Sequence, residues 1–257
     1  GFAYEGVGLW FALTDLLKPW SASRLAWFTK NVAPRHDFIA MVGAGFAVAC
    51  VPLARRRLEA FQARLDPMTA WCVADGVGFH EGFFHWKAYR TGRRTAPAAL
   101  TPQNRALFDA GGGRSFWWVW GAEPEAIAAA IERFAPERRA EMWTGIGTAL
   151  AYAGGFQPGG PSRLLDLAGV HRVDLRVGIA LAANMRYKGG NPAEWTDQVC
   201  QEAMYESVAN VSSLVDAELA GFLATWDGHE QSLREGCYLA LRGRLAARLA
   251  DGEGRGQ

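Results

Sequence analysis

The sequence predicts an all-α protein, a helical bundle or array built from two diverged repeats packed into one compact unit. Three observations predict it. Apolar residues recur at helical rather than alternating spacing, the breaks between runs fall at Gly and Pro clusters, and one block of residues returns at a fixed offset.

The balance of residues narrows the class. Apolar residues make up 50% and charged residues 21%, ordinary globular chemistry that can fold on its own core. With 27 Lys and Arg against 26 Asp and Glu, and no basic stripe interleaved with aromatics, nucleic acid is excluded as a partner. Cys50, Cys72, Cys200 and Cys237 lie far apart with no C-x-x-C, so free thiols in a reducing, cytoplasmic compartment are expected rather than a zinc clip. The chain opens on Gly1 already inside an apolar pattern, so a preceding segment is expected.

Helices are expected over residues 3–17, 22–31, 36–51, 55–64, 67–88, 104–118, 123–133, 137–153, 172–187, 194–209, 212–225 and 230–249. The charged start Arg35-His36-Asp37 opens the third. Its apolar run, 38–51, holds no charge but falls short of the roughly 20 residues that span a bilayer, which makes it a buried core helix. Residues 90–102 read as a polar loop and 154–161 (GGFQPGGP) as a turn-rich connection. The run SFWWVW at 115–120 has strand-like composition, but its short length favours helix. Gly189-Gly190-Asn191-Pro192 after Arg186, Tyr187 and Lys188 reads as a helix end with a basic last turn.

The offset is 102 residues: Ala33-Pro34, Gly43, Gly45, Ala47 and Ala49 return as Ala135-Pro136, Gly145, Gly147, Ala149 and Ala151. It divides the chain into a first unit, 1–92, and a second, 103–257, that carries the C-terminal helices. Gly43 with Ala47, and Gly45 with Ala49, leave strips without bulk where a neighbouring helix can approach. No strand precedes these glycines and a third is absent, so they are not a dinucleotide fingerprint. Glu-Gly pairs open three further apolar segments at Glu5, Glu81 and Glu235; for Glu5 and Glu235 a buried structural carboxylate paired with Arg is expected.

Chemistry concentrates in DGVGFHEGFFHW, residues 75–86. Two imidazoles and two carboxylates among Phe and Trp are costly to bury unless paired or used. His80, Glu81 and His85 are the candidate catalytic residues, and Trp71, Phe79, Phe83, Phe84 and Trp86 the candidate substrate-binding ones. Glu81 and His85 share a helix face, whereas His80 and His85 are turned about 140° apart. The spacing is therefore not that of H-E-x-x-H, and the chain has no Glu-x-x-His for a di-iron centre, so no metal site is assigned. The cofactor stays unknown; a mononuclear iron or a haem-ligating His is compatible with the pattern. The 102-residue offset sets the trio against Ala182, Ala183 and Tyr187, so the second unit does without it.

The segments GFAYEGVGLWFALTDLL, LDPMTAWCVADGVGFHEGFFHW, GIGTALAYAGG and GNPAEWTDQVCQ resemble the UnbL-like enediyne biosynthesis family, a domain family of unknown function, over nearly the whole chain. The resemblance implies a part in turning a linear polyene, released by a polyketide synthase, into an enediyne core. It also implies UnbV-like companions and a membrane-embedded UnbU-like companion, with membrane association only through a partner. It carries no agreed catalytic set. Two readings stay open: an enzyme that modifies the polyene through His80, Glu81 and His85, or a non-catalytic scaffold or hydrophobic carrier. A deep apolar tunnel ending at His80 or His85 favours catalysis or carriage, and a filled core with an exposed apolar patch favours scaffolding.

Overall fold

Small residues decide how the helices of this chain meet. The computed structural model describes residues 1–91 and 94–253, the last three by backbone alone. Among the described residues there are helices and no strand: α1 (Phe2–Leu17), α2 (Arg24–Asn31), α3 (Asp37–Cys50), α4 (Pro52–Arg55), α5 (Leu58–Gln62), α6 (Cys72–Phe84), α7 (Trp86–Tyr89), α8 (Pro102–Val119), α9 (Pro124–Ile131), α10 (Pro136–Ala153), α11 (Gly160–Ala168), α12 (Arg172–Lys188), α13 (Glu194–Met204), α14 (Val208–Leu223) and α15 (Glu230–Glu253), with a 3-10 turn at Gly169–His171. No helix among them is long and apolar enough to cross a membrane.

The long helices α1, α3, α6, α8, α10, α12 and α14 each pack on the next in chain order, and the short ones carry the chain back between them. All seven run in the same direction. Phe38, Phe46 and Cys50 of α3 meet Trp71, Phe79 and His80, in that order, at and along α6. Asp109 and Trp117 of α8 meet Arg138 of α10 and Gly154 just beyond it. Asn184 and Lys188 of α12 meet Ser212 and Asp216 of α14. Gly8 of α1 lies on Ala40, and Gly82 of α6 on Ser115.

A G-x-G pair explains why neighbours come so close. Residues two apart on a helix are turned by about 200°, so the first glycine faces the preceding long helix and the second faces the following one. Gly43 lies against Glu5 of α1, and Gly45 against Gly76 of α6; Gly76 faces α3, and Gly78 faces Phe108 of α8. Gly111 and Gly113 of α8 likewise face α6 and α10, and Gly145 and Gly147 of α10 face α8 and α12. Gly178 of α12 faces Thr144 of α10. In the first helix Gly8 faces α3, while Gly6, with no helix before it, has nothing near. The first glycines, from Gly6 to Gly178, recur every 33 to 37 residues. The 102-residue offset, which carries α3 onto α10, is three such steps.

The array curls. Phe2 packs edge-on against Tyr152 at the far end of α10, 5.6 Å between ring centres. The inner faces of α3, α6, α8, α10 and α12 thereby enclose an interior cavity of about 50 Å³, capped by Phe2 and by Tyr238 of α15. α15 straps across the other helices: Arg234 donates to the carbonyls of Gln62 and Leu65, Tyr238 to Glu141 at 2.7 Å, and Arg242 to Asp174 while it forms an ion pair with Glu141.

Several expectations shift. The helix expected over 67–88 starts at Cys72 and breaks at His85, whose φ of −120° and ψ of 27° end α6. The helix expected over 55–64 shrinks to α5, and a separate single turn, α4, precedes it and ends at Arg55. α11 lies where no helix was expected: Gly159 at φ 78° turns the chain, and Pro161 sits in the first helical turn. The helix expected over 194–209 stops at Met204 because Tyr205 is left-handed at φ 58°, and Ser207 caps α14. Glu235 is exposed and accepts from Gln231 rather than pairing with a buried Arg. Residues 115–120 are helical through Val119. Of the loop at 90–102, residues 92 and 93 lie outside the described ones, and α6 and α8 on either side of it pack as closely as any neighbours.

Candidate functional site

On α6, residues 72, 75, 79 and 83 follow at three- and four-residue steps and so share one face, as do 107, 110, 114 and 118 on α8. These two stripes, with Phe46 from α3, build an aromatic strip. Phe46 stacks on Phe79 at 5.3 Å, Phe79 on Phe83 at 5.7 Å, Trp118 meets Phe79 edge-on at 5.2 Å, and Phe83 meets Phe84 at 5.1 Å. Phe84 (60% exposed), Phe83 and Trp118 open to solvent, while Phe79 is buried. At the inner end the Arg114 guanidinium lies 4.4 Å from the Phe79 ring centre and pairs with Asp75 at 2.5 Å. Burial pushes the Asp75 carboxyl up despite Arg114, whereas Arg114 is pushed up by Asp75 and Glu5 against its own burial. We take the pair as ionised, since a bonded guanidinium is the better-defined charge. Glu5, mostly buried nearby, is also pushed up by burial, with Arg114 opposing.

His80, one residue on from Phe79, is turned about 100° from the strip toward α3. Its Nε2 lies 3.5 Å from Cys50 Sγ, and its Nδ1 lies 3.9 Å from Glu81 Oε1. Glu81 is buried and its two carboxylate oxygens are held separately, Oε1 by Arg55 at 2.8 Å and Oε2 by Arg94. Burial would raise its pKa, but the nearby His80, the hydrogen bond and charge of Arg94 and the charge of Arg55 outweigh that and bring it down to about 2. Glu81 is therefore an ionised anchor at neutral pH, not a proton donor poised near 7. His85 is pushed down, first by burial and then by Arg94.

The structure brings the trio together more tightly than helical spacing implied. Because α6 ends at Phe84, His85 swings out of register, and the two imidazoles lie 5.7 Å apart instead of on diverging faces. One donor atom from each of His80, Glu81 and His85 lies within 4.8 Å of the others, so the three could hold a metal ion. A cation there would have to displace or sit beside two guanidinium groups, which argues against it electrostatically.

Of the expected binding residues, Phe79, Phe83 and Phe84 form the strip. Trp71 lines the interior cavity and packs on Tyr238, while Trp86 meets Trp120 and lies under Lys87 and Arg90. A second cavity, of about 360 Å³, lies between the start of α3 and the ends of α10 and α12, lined by Arg35, His36, Tyr152 and Lys188 among others. Neither cavity is bordered by His80, Glu81 or His85. Sequence reasoning missed Cys50, Arg55, Arg94, Arg114 and Trp118. For Cys50 the signal is the short glycine period, which sets it beside His80, 30 positions later on the next long helix, whereas Arg55, Arg94, Arg114 and Trp118 meet their partners at separations outside that period.

No curated protein and no solved structure matches the chain. Residues 1–249 match the model of a family described as protein of unknown function (DUF1702), and the chain belongs to that family.

Proposed function

We propose that the chain binds a linear conjugated polyene along the strip Phe46, Phe79, Phe83, Phe84 and Trp118, as a step in forming an enediyne core. The class of ligand comes from the resemblance to the UnbL-like family. The observation that supports it is the unbroken run of ring contacts from three solvent-open aromatics inward to the Arg114–Asp75 pair. A flat, rigid, apolar chain gains stacking area there at little conformational cost. The small interior cavity, about 50 Å³, supports a ligand lying on the strip at the mouth of the array rather than in a tunnel through it.

Titration with a linear polyene tests this. Trp118 fluorescence should be quenched as the ligand's absorbance shifts, and Trp118→Ala or Phe83→Ser should weaken binding about tenfold or more, the equivalent of one lost aromatic contact. Affinity unchanged within about twofold in both variants would sink the reading.

A scaffolding role has its own support at the start of the chain. Trp20 (82% exposed), Leu17 (75%) and Trp10 (63%) leave apolar surface on and just after α1. Under this reading a UnbV-like or UnbU-like companion covers them, and Trp10→Ser with Trp20→Ser abolishes co-purification while leaving polyene binding intact. Co-purification that survives both substitutions removes it.

A further inference from the structure

We infer that Cys50 is an acyl-accepting nucleophile, with His80 as its base and Glu81 as a positioning residue, acting on thioesters of long unsaturated acids. The substrate class rests on the proposed polyene strip; the thiol chemistry does not.

Three placements carry the inference. Of the four free cysteines Cys50 alone is exposed; Cys72, Cys200 and Cys237 are buried, and burial pushes their thiols up, to about 12 for Cys200 and about 11 for Cys237. Cys50 Sγ faces one imidazole nitrogen of His80 at 3.5 Å while the other nitrogen faces the Glu81 carboxylate at 3.9 Å. That is the order nucleophile, base, anion, with His80 Nδ1 buried and left without a hydrogen-bond partner beside the Glu81 carboxylate. Finally, the same His80 ring lies 4.9 Å from Phe84 and 6.5 Å from Phe46, so an acyl chain resting on the strip brings its carboxyl end to Cys50.

The charges around the site fit this chemistry better than a bound cation. Arg55 and Arg94 fix Glu81 in its ionised form and leave a positive surround for an oxyanion. In the acylation step His80 Nε2 takes the Cys50 thiol proton as Sγ bonds to the acyl carbonyl carbon. The bond from that carbon to the departing sulfur breaks, and the imidazolium returns the proton to the departing thiolate. Water next attacks the Cys50 thioester, passing its proton to His80, and the acyl chain leaves as a carboxylic acid with the thiol restored.

The test uses the whole chain with N-acetylcysteamine thioesters of acetic acid and of a conjugated polyenoic acid, read by intact mass and peptide mapping. Iodoacetamide labelling of Cys50 is followed in parallel. The expected result is a single acyl group on Cys50, absent in Cys50→Ser. In His80→Gln, with melting temperature retained, both acylation and labelling at neutral pH should slow about a hundredfold. In Glu81→Gln the pH profile of labelling should move, as expected when His80 loses the anion beside it; a merely structural Glu81 would lower folded yield without moving the profile. If acetyl and polyenoyl groups transfer equally fast and Phe84→Ala changes neither, the strip reading fails while the thiol chemistry stands. No adduct on Cys50 from either thioester, or labelling that is indifferent to His80→Gln, overturns the inference.

Discussion

A single added methyl should have opposite effects at two glycines that occupy the same place in the motif. A β-carbon on Gly43 would lie 2.7 Å from the carbonyl carbon of Glu5 and 3.0 Å from its Cα, with the carbonyl oxygen nearer still. Carbon atoms settle about 3.5–4.0 Å apart, so α1 and α3 must separate by roughly 1 Å, and every opposing atom is backbone that cannot rotate aside. Overpacking of this kind costs about 1–3 kcal/mol, and the widened gap also loosens the contact of Gly8 on Ala40. Gly6 is exposed and a β-carbon there meets nothing within 4 Å. Alanine is worth about 1 kcal/mol over glycine inside a helix. At about 2–4 °C per kcal/mol for a chain of this size, Gly43→Ala should melt roughly 2–12 °C lower and Gly6→Ala about 2–4 °C higher, by calorimetry or far-ultraviolet circular dichroism. Gly43→Ala melting at or above the parent would refute the idea that glycine-mediated backbone contact sets the helix spacing.

The ion pairs give two further expectations. Folding lowers the Glu81 pKa from 4.5 to about 2, so its contribution is complete above the unfolded value and is lost as pH falls through that window. The melting-temperature gap between the parent and Glu81→Gln should hold steady at neutral pH and narrow in acid between those values; a gap that widens in acid contradicts the pairing. Arg114→Met strands the largely enclosed Asp75 carboxylate and should cost about 3–5 kcal/mol in urea unfolding, whereas adding Asp75→Leu should recover more than half of it. A single variant within about 1 kcal/mol of the parent would mean that water already solvates the pair.

What the sequence made legible was local. The uncharged run at 38–51 is α3, and its small residues are where α1 and α6 touch it. What stayed hidden depends on neighbours or on single dihedrals. His85 leaves helical conformation at a position no propensity marks, and that brings its ring toward His80. α11 hides behind Gly159, Gly160 and Pro161, which read as loop residues until Pro161 is seen in a first helical turn. Arg186 and Lys188, read as a basic helix end, do lie there, and their partners, the Tyr152 carbonyl and Asp216, come from other helices. The Cys50–His80 pair was within reach of the sequence, since Phe38 with Trp71 and Phe46 with Phe79 stand at nearly the same separation. The 102-residue offset obscured it, because a repeat three helices long aligns α3 with α10 and says nothing of which helix lies beside which.

The most direct test of the account is to let the ligand mark its own resting place. A linear polyene carrying a diazirine, irradiated with the protein and mapped by peptide mass spectrometry, should label the stretch from Phe79 to Phe84 together with Trp118, and free polyene should compete the label away. Labelling concentrated at Trp10 and Trp20, or spread over the chain without competition, would contradict a polyene site on the strip.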